Sequence, residues 1–160
     1  MTSKEISTNI GKTLMQRQET LSAAESCTGG NISHLLTIVP GASNYYLGSV
    51  TSYAVPVKEQ ILGVDANLIK SKGVVSAEVA EAMAEGIKRL LHSTYSVATT
   101  GLAGPGGDEY NAEGTVWMAV CGPNGTLSKK LVCPNQNREQ NIESFTHAAL
   151  NFLYEQIIAD

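Results

Sequence analysis

The sequence is poor in several residue types, and each shortage excludes a class of protein. Its three cysteines are odd in number and show no CxxC spacing, which argues against a disulfide framework and a zinc site. Lysine and arginine total 11 against 15 acidic residues, and no basic run exceeds a pair, which disfavours nucleic-acid binding. No apolar stretch approaches a membrane span, and the N-terminus lacks a signal-peptide core. We therefore expect a cytoplasmic protein with neither nucleic-acid nor membrane partners.

What the chain does contain is typical of one globular domain over residues 1–160. Hydrophobic residues make up 42% of it and charged residues 16%. A chain of 160 residues buries roughly 70% of its unfolded surface, enough for a sizeable core. We find no internal repeat, low-complexity tract or linker that would divide it.

Hydrophobic periodicity predicts alternating helices and strands. The predicted helices cover residues 3–18, 29–39, 56–62, 75–91 and 136–158. The fourth is expected to bury an apolar stripe of Val79, Met83, Ile87, Leu90 and Leu91, and the last to bury Ile142, Phe145, Ala149, Phe152, Leu153 and Ile157. The predicted strands cover residues 20–26, 45–54, 95–100, 115–121 and 127–132. This alternation predicts an α/β sheet covered by helices, and the turn GPNG predicts an antiparallel hairpin that makes the sheet mixed.

Three segments that can carry chemistry directly follow predicted strands, namely residues 25–30, 53–58 and 99–107. Sites in α/β proteins form where strands deliver their loops. If these strands end on one edge of the sheet, the three segments converge there.

The stretch AESCTGG places Ser26 between a strand and a helix. By spacing alone, a serine there is most often an N-cap. The functional interpretation makes it a nucleophile, with unpaired main-chain N–H groups of Thr28, Gly29 and Gly30 available to hold an oxyanion. Cys27 is the rival nucleophile, because thiols at helix starts often have lowered pKa values. With no histidine base in view, a buried structural thiol is the favoured interpretation of Cys27.

A lysine is the best candidate for the activating base. None of the three histidines, His34, His92 and His147, has a carboxylate at a spacing that proposes a triad. Lys58 falls in the first turn of the helix that Pro56 opens. The positive end of the helix dipole and partial burial both favour the neutral amine that a general base must be. A solvent-exposed lysine is the competing interpretation.

The glycine-rich stretch TGLAGPGG, residues 100–107, is the third candidate segment. Its N–H groups, assisted by the Thr100 hydroxyl, could cradle a phosphate, although it matches no Walker or GxGxxG pattern. A plain flexible loop is the alternative. Arg138, at the start of the last helix, would offer a charged fork to a phosphate or lie in solvent.

Taken together, these stretches resemble one family, the CinA C-terminal domain, whose enzymatic members are nicotinamide mononucleotide (NMN) deamidases. The resemblance covers almost the whole chain, and the order of AESCTGG and TGLAGPGG is highly specific. The matching elements are AESCTGG at 24–30, PGAS at 40–43, Tyr53 with Lys58, LGV at 62–64, GVVS at 73–76, TGLAGPGG at 100–107 and GTV at 114–116.

The resemblance implies a role for each matching residue. Ser26 would be the nucleophile and Lys58 the base of a serine–lysine amidohydrolase, with Tyr53 assisting them. Backbone N–H groups after Ser26, at Thr28 to Gly30, would hold the oxyanion. The implied substrate-binding residues are Glu25, Thr100, Gly101, Gly104, Gly106 and Arg138, with Glu25 left open between orienting the site and capping the turn.

The resemblance also implies a three-layer α/β/α sandwich with a mixed, mostly parallel sheet. It implies a small-molecule nucleotide substrate, no metal or organic cofactor, and a homo-oligomer, with a dimer favoured. In longer members the domain follows a molybdopterin-binding-like domain, which has no counterpart in this sequence.

Two departures from the family pattern bear on function. Ala54 and Val55 stand where members commonly carry Ser-Asn, and Asn111-Ala112-Glu113 stands where they carry Lys-Pro-Val. These changes leave two alternatives open. The chain could be a catalytically silent nucleotide-binding or interaction domain, or it could hydrolyse a different amide, since Glu113 favours a less anionic substrate.

Overall fold

A five-stranded sheet forms the middle layer of the structure, a computed structural model that describes residues 1–160. The strands are β1 (Leu21–Glu25), β2 (Tyr46–Thr51), β3 (Tyr95–Gly101), β4 (Thr115–Gly122) and β5 (Gly125–Val132), in the spatial order β2-β1-β3-β4-β5. Strand β1 pairs in parallel with β2 and β3, whereas β4 pairs antiparallel with β3 and β5. Four of the five strands therefore run in one direction, and the predicted mixed sheet is confirmed.

Six α-helices cover the two faces of this sheet. They are α1 (Ser3–Arg17), α2 (Asn31–Thr37), α3 (Val55–Gln60), α4 (Ala66–Lys72), α5 (Ala77–Leu91) and α6 (Arg138–Ala159). Helices α1, α2 and α6 contact one another, while α5 lies across the strands with α4 beside it. The predicted α/β/α sandwich is thus confirmed. No helix combines the length and the apolar character that a membrane crossing requires.

The core consists of two apolar layers, because successive strand residues point to opposite faces of the sheet. Ala23 and Val97 face the layer under α1, α2 and α6, and their neighbours Ala24 and Ala98 face the layer under α5. The predicted stripe of α5 is confirmed at its buried residues Val79, Met83 and Ile87, whereas Leu90 is exposed. In α6 the predicted apolar residues are buried except Ile142, which is half-buried.

Two elements were not predicted from the sequence. Helix α4 has no buried residue, so it lacks the apolar stripe by which helices are recognised, and the Asp65 side chain caps it by accepting the Asn67 N–H. A single 3₁₀ turn, Ala42–Asn44, precedes β2. Both are short surface elements that leave the predicted order of the others unchanged.

The sheet brings the three candidate segments to one edge. Strands β2, β1 and β3 are adjacent and parallel, so they end together. Just beyond the last pair of β1 and β2, the Ser52 N–H donates to the Glu25 carbonyl at 2.7 Å. The expected convergence is therefore confirmed.

Helix α5 holds the chain that follows α3 through a glycine. Gly86 lies so close to Leu62 that an added Cβ would overlap the Leu62 carbonyl oxygen. Leu62 lies two residues after the end of α3, and the Val64 N–H donates to the Lys58 carbonyl at 3.0 Å. The contact at Gly86 therefore determines how closely the segment carrying Lys58 approaches the sheet.

We predict that Gly86→Ala destabilises the protein although alanine is the better helix former. Overpacking against a backbone carbonyl costs about 1–3 kcal/mol, which outweighs a propensity gain of up to about 1 kcal/mol. The free energy of unfolding, measured by urea denaturation, should fall. At the exposed neighbour Glu85, the Glu85→Ala variant should instead be more stable than Glu85→Gly. If alanine were more stable than glycine at position 86 as well, the close contact of Gly86 with the Leu62 carbonyl would be contradicted.

Candidate functional site

Ser26 and Lys58 form a buried pair at the end of β1. Ser26 is the first residue after this strand, and Lys58 lies in α3. The Lys58 Nζ is 2.9 Å from the Ser26 Oγ. The lysine is only 1% exposed and the serine 8% exposed. The solvent-exposed interpretation of Lys58 is therefore wrong.

The other contacts of the Lys58 amine are main-chain carbonyls. Its Nζ donates to the Ser52 carbonyl at 2.5 Å and to the Tyr53 carbonyl at 3.2 Å. No carboxylate pairs with it, since the one ion pair of the structure joins Arg17 to Glu19. Burial lowers the pKa of Lys58, and the nearby Cys27 opposes this only in part. A neutral amine can donate its two N–H groups to these carbonyls and keep its lone pair for the Ser26 hydroxyl.

Burial shifts the pKa of Cys27 upward, in the opposite direction to that of Lys58. The Cys27 side chain is buried among apolar residues, and burial raises the pKa of the thiol to about 12. The thiol is therefore protonated at neutral pH, whereas thiolate is the nucleophilic form. This agrees with the prediction of a structural thiol.

The Glu25 carboxylate caps the turn and does not reach the site cavity. Fully buried, it accepts hydrogen bonds from the Thr28 hydroxyl at 2.7 Å and from three main-chain N–H groups, those of Gly30 at 3.2 Å, Ile32 at 2.9 Å and Ser33 at 3.0 Å. A carboxylate among unpaired N–H groups at a helix start is well stabilised. The expected contact of Glu25 with substrate is corrected accordingly: its four hydrogen bonds are all within the turn.

The cap also changes which N–H groups are free. The Gly29 N–H donates to the Ser26 carbonyl at 3.0 Å, and the Gly30 N–H is held by Glu25. The expectation that both are unpaired is therefore wrong. The N–H groups of Cys27 and Thr28 donate to no main-chain carbonyl, so they are the donors left beside Ser26.

A cavity of about 320 Å³ opens above the serine–lysine pair. Its volume is in the range of small-molecule sites. None of the three histidines lines it, and no group of three or more metal-ligating side chains occurs in the structure. The lining residues are Ser26, Cys27, Tyr53, Val55, Lys58, Val74, residues 100–107 and Arg138.

Arg138 bridges two walls of this cavity. As the first residue of α6, it donates from Nη1 to the Gly104 carbonyl at 2.5 Å and from Nη2 to the Tyr53 hydroxyl at 2.9 Å. The structure thus brings together three of the predicted residues. Arg138 is exposed, so the solvent interpretation holds in part, but two hydrogen bonds to the protein fix its guanidinium at the cavity.

The glycine-rich segment is anchored on its outer side. The Thr100 hydroxyl donates to the Val74 carbonyl at 2.9 Å, and the Asn141 side chain donates to the Ala103 carbonyl at 2.9 Å. Gly101, Gly104 and Gly106 line the cavity, and their contact with substrate stays a prediction. The anchor at Asn141 was missed, although a polar residue on the apolar face of a predicted helix is a signal that could have revealed it.

The chain is similar to known proteins over almost its whole length. The family model described as "CinA C-terminal domain" matches residues 3–157. A "CinA-like protein" of Acaryochloris marina is 44% identical over 153 residues, which cover 94% of this chain and 36% of that protein. Another, of Flavobacterium psychrophilum, is 41% identical over 150 residues, covering 93% and 36%. The chain thus spans about a third of the length of these curated relatives.

Among solved structures, the competence damage-inducible protein A of Klebsiella pneumoniae superposes with a TM-score of 0.95 at 28% identity. The superposition covers 99% of this chain and 98% of that one. The similarity therefore extends over the entire fold, including the segments that form the cavity.

We predict that Glu25→Gln lowers the free energy of unfolding by about 1–3 kcal/mol, because the new amide group faces main-chain N–H donors and leaves them without an acceptor. Urea denaturation followed by circular dichroism measures this. Asp65→Asn, at the exposed cap of α4, is the matched control and should cost less than about 0.5 kcal/mol, since Asn and Asp are comparable N-caps. Equal losses in the two variants would contradict the buried cap.

Proposed function

The chain belongs to the CinA C-terminal domain family, and we propose that it is a serine–lysine amidohydrolase that converts NMN to nicotinate mononucleotide and ammonia. The observation that carries the proposal is the 2.9 Å contact between the Ser26 Oγ and the buried Lys58 Nζ. Buried lysine without a carboxylate partner favours the neutral base that activates a nucleophile. The reaction would serve cytoplasmic pyridine nucleotide salvage, and a homo-oligomer would carry it out.

In the first step, Lys58 takes the proton of the Ser26 hydroxyl as its oxygen attacks the carboxamide carbon. The carbonyl oxygen becomes an oxyanion, which the free N–H groups of Cys27 and Thr28 would stabilise. The protonated Lys58 then gives its proton to the departing nitrogen. The C–N bond breaks, ammonia leaves, and the acyl group remains on Ser26.

In the second step, water replaces ammonia. Lys58, neutral again, takes a proton from a water molecule that attacks the acyl carbon. The ester bond to Ser26 breaks, and Lys58 returns the proton to the serine oxygen. The carboxylic acid product leaves, and both side chains regain their initial state.

The rest of the substrate would extend from Ser26 along the glycine-rich wall. Val55 and Leu102 offer apolar surface to a ring, and Arg138 is the one cation near the cavity mouth. A phosphate would therefore be drawn toward Arg138, in exchange for the guanidinium contacts to Tyr53 and Gly104.

We predict that Ser26→Ala lowers the release of ammonia from NMN by at least about 10³-fold, because the nucleophile is removed. Ser22→Ala is the matched control: Ser22 is buried on the same strand and bonds Ser93 at 2.7 Å, away from the cavity. It should retain activity, and so should Cys27→Ala.

Two outcomes would contradict this prediction. Loss of activity in Cys27→Ala with retention in Ser26→Ala would make the thiol the nucleophile. Calorimetric binding of NMN without any ammonia release by the unmodified protein would favour the catalytically silent nucleotide-binding domain instead.

We also predict that kcat/KM rises as pH increases, because Lys58 acts only when neutral. Burial lowers the pKa of Lys58, so half-maximal activity should occur below the ordinary lysine value of about 10.4. Initial rates of ammonia release across a pH series measure this, with circular dichroism verifying folding at each pH. A rate that falls as pH rises through the same range would contradict a neutral lysine base.

A further inference from the structure

Glu113 is attached to the glycine-rich wall of the cavity. Its Oε1 accepts the Gly106 N–H at 2.7 Å. The same oxygen would be 2.5 Å from a Cβ added at Gly104, so the carboxylate lies directly against this segment. The Glu113 carboxylate can come this close only because residue 104 is a glycine and has no Cβ. The negative charge of Glu113 is thereby fixed beside residues 104–106.

Arg138 acts on the same segment with the opposite charge. Its Nη1 donates to the carbonyl of Gly104, one of the two glycines that Glu113 contacts. Glu113 and Arg138 form no ion pair with each other. Besides Arg138, the only cationic side chain lining the cavity is Lys58, which is buried against Ser26. An anionic group in the cavity is therefore attracted to Arg138. Where it binds against Gly104 or Gly106, it contacts the same two glycines as Glu113, which does not itself line the cavity.

Two consequences disfavour a phosphate at this position. The Gly106 N–H, which could otherwise donate to a phosphate oxygen, is already bound to Glu113. In addition, the carboxylate of Glu113 repels a phosphate dianion bound at these glycines, and because Glu113 is exposed this repulsion is largest at low ionic strength. A substrate that lacks the phosphate experiences neither effect.

We propose that Glu113 is a specificity-determining residue that selects against a phosphate group, so that the substrate class includes carboxamide nucleosides without a phosphate as well as nucleotides. The inference rests on the proposed amidohydrolase function, because it concerns the far end of the same cavity. Glu113 would then discriminate between NMN and nicotinamide riboside, two amides that differ only in the 5′-phosphate.

The test compares NMN with nicotinamide riboside in the protein and in Glu113→Gln. The glutamine oxygen can still accept the Gly106 N–H, so the segment keeps its support and only the charge is removed. The ratio of kcat/KM for NMN to that for the riboside should rise about tenfold at low ionic strength, and less at high salt. Glu109→Gln is the matched control, since Glu109 is an exposed carboxylate of the same loop, and its ratio should not change.

Three results overturn the inference or the function separately. An unchanged ratio in Glu113→Gln, or an equal rise in Glu109→Gln, overturns the role of Glu113. No ammonia from either amide overturns the proposed function. In that event, calorimetry still tests the role of Glu113. Dissociation constants of NMN and the riboside are measured in a Ser26→Ala background, with and without Glu113→Gln. The inference requires that Glu113→Gln increases the affinity for NMN alone.

Discussion

The burial of one amine without a counter-charge is the constraint on which this structure depends. Taking a charged ammonium group out of water is far more costly than burying a neutral amine. Lys58 is 1% exposed, contacts two main-chain carbonyls and one hydroxyl, and has no carboxylate partner. Protonation would place a positive charge among these neutral dipoles. The fold therefore favours the deprotonated side chain, which is the form that can accept a proton from Ser26.

The sheet supplies the geometry that this arrangement requires. The two carbonyls belong to Ser52 and Tyr53, between β2 and α3, while Ser26 follows β1. The Ser52 N–H and hydroxyl both donate to the Glu25 carbonyl, at 2.7 and 3.1 Å. The residue before the nucleophile and the residue that holds the base are thus joined by the pairing of two parallel strands. Positioning on rigid strands defines a site more accurately than positioning on loops.

Features that depend on regular sequence patterns could be predicted, whereas features that depend on the conformation of a single side chain could not. Strands, the apolar stripe of α5 and the convergence of three segments were predictable, because they depend on periodicity and on the direction of parallel strands. The pairing of Ser26 with Lys58 was implied by the family resemblance, whereas spacing alone favoured an N-cap serine and left the role of Lys58 open. The occupied N–H groups of Gly29 and Gly30 were not predictable. Their state depends on whether the Glu25 side chain folds back onto the turn, which neighbouring residue types do not determine.

The same distinction applies to the charges near the cavity mouth. From the sequence, Arg138 is a free guanidinium at a helix start, yet two of its N–H donors are bound to Gly104 and Tyr53. A ligand that binds the remaining donors meets a guanidinium whose position is tied to the glycine-rich segment. Glu113 holds that segment at Gly106. An anion near Arg138 is therefore attracted by a guanidinium that has no carboxylate partner and repelled by the Glu113 carboxylate fixed to the same segment, so the net attraction is smaller than the presence of an arginine suggests.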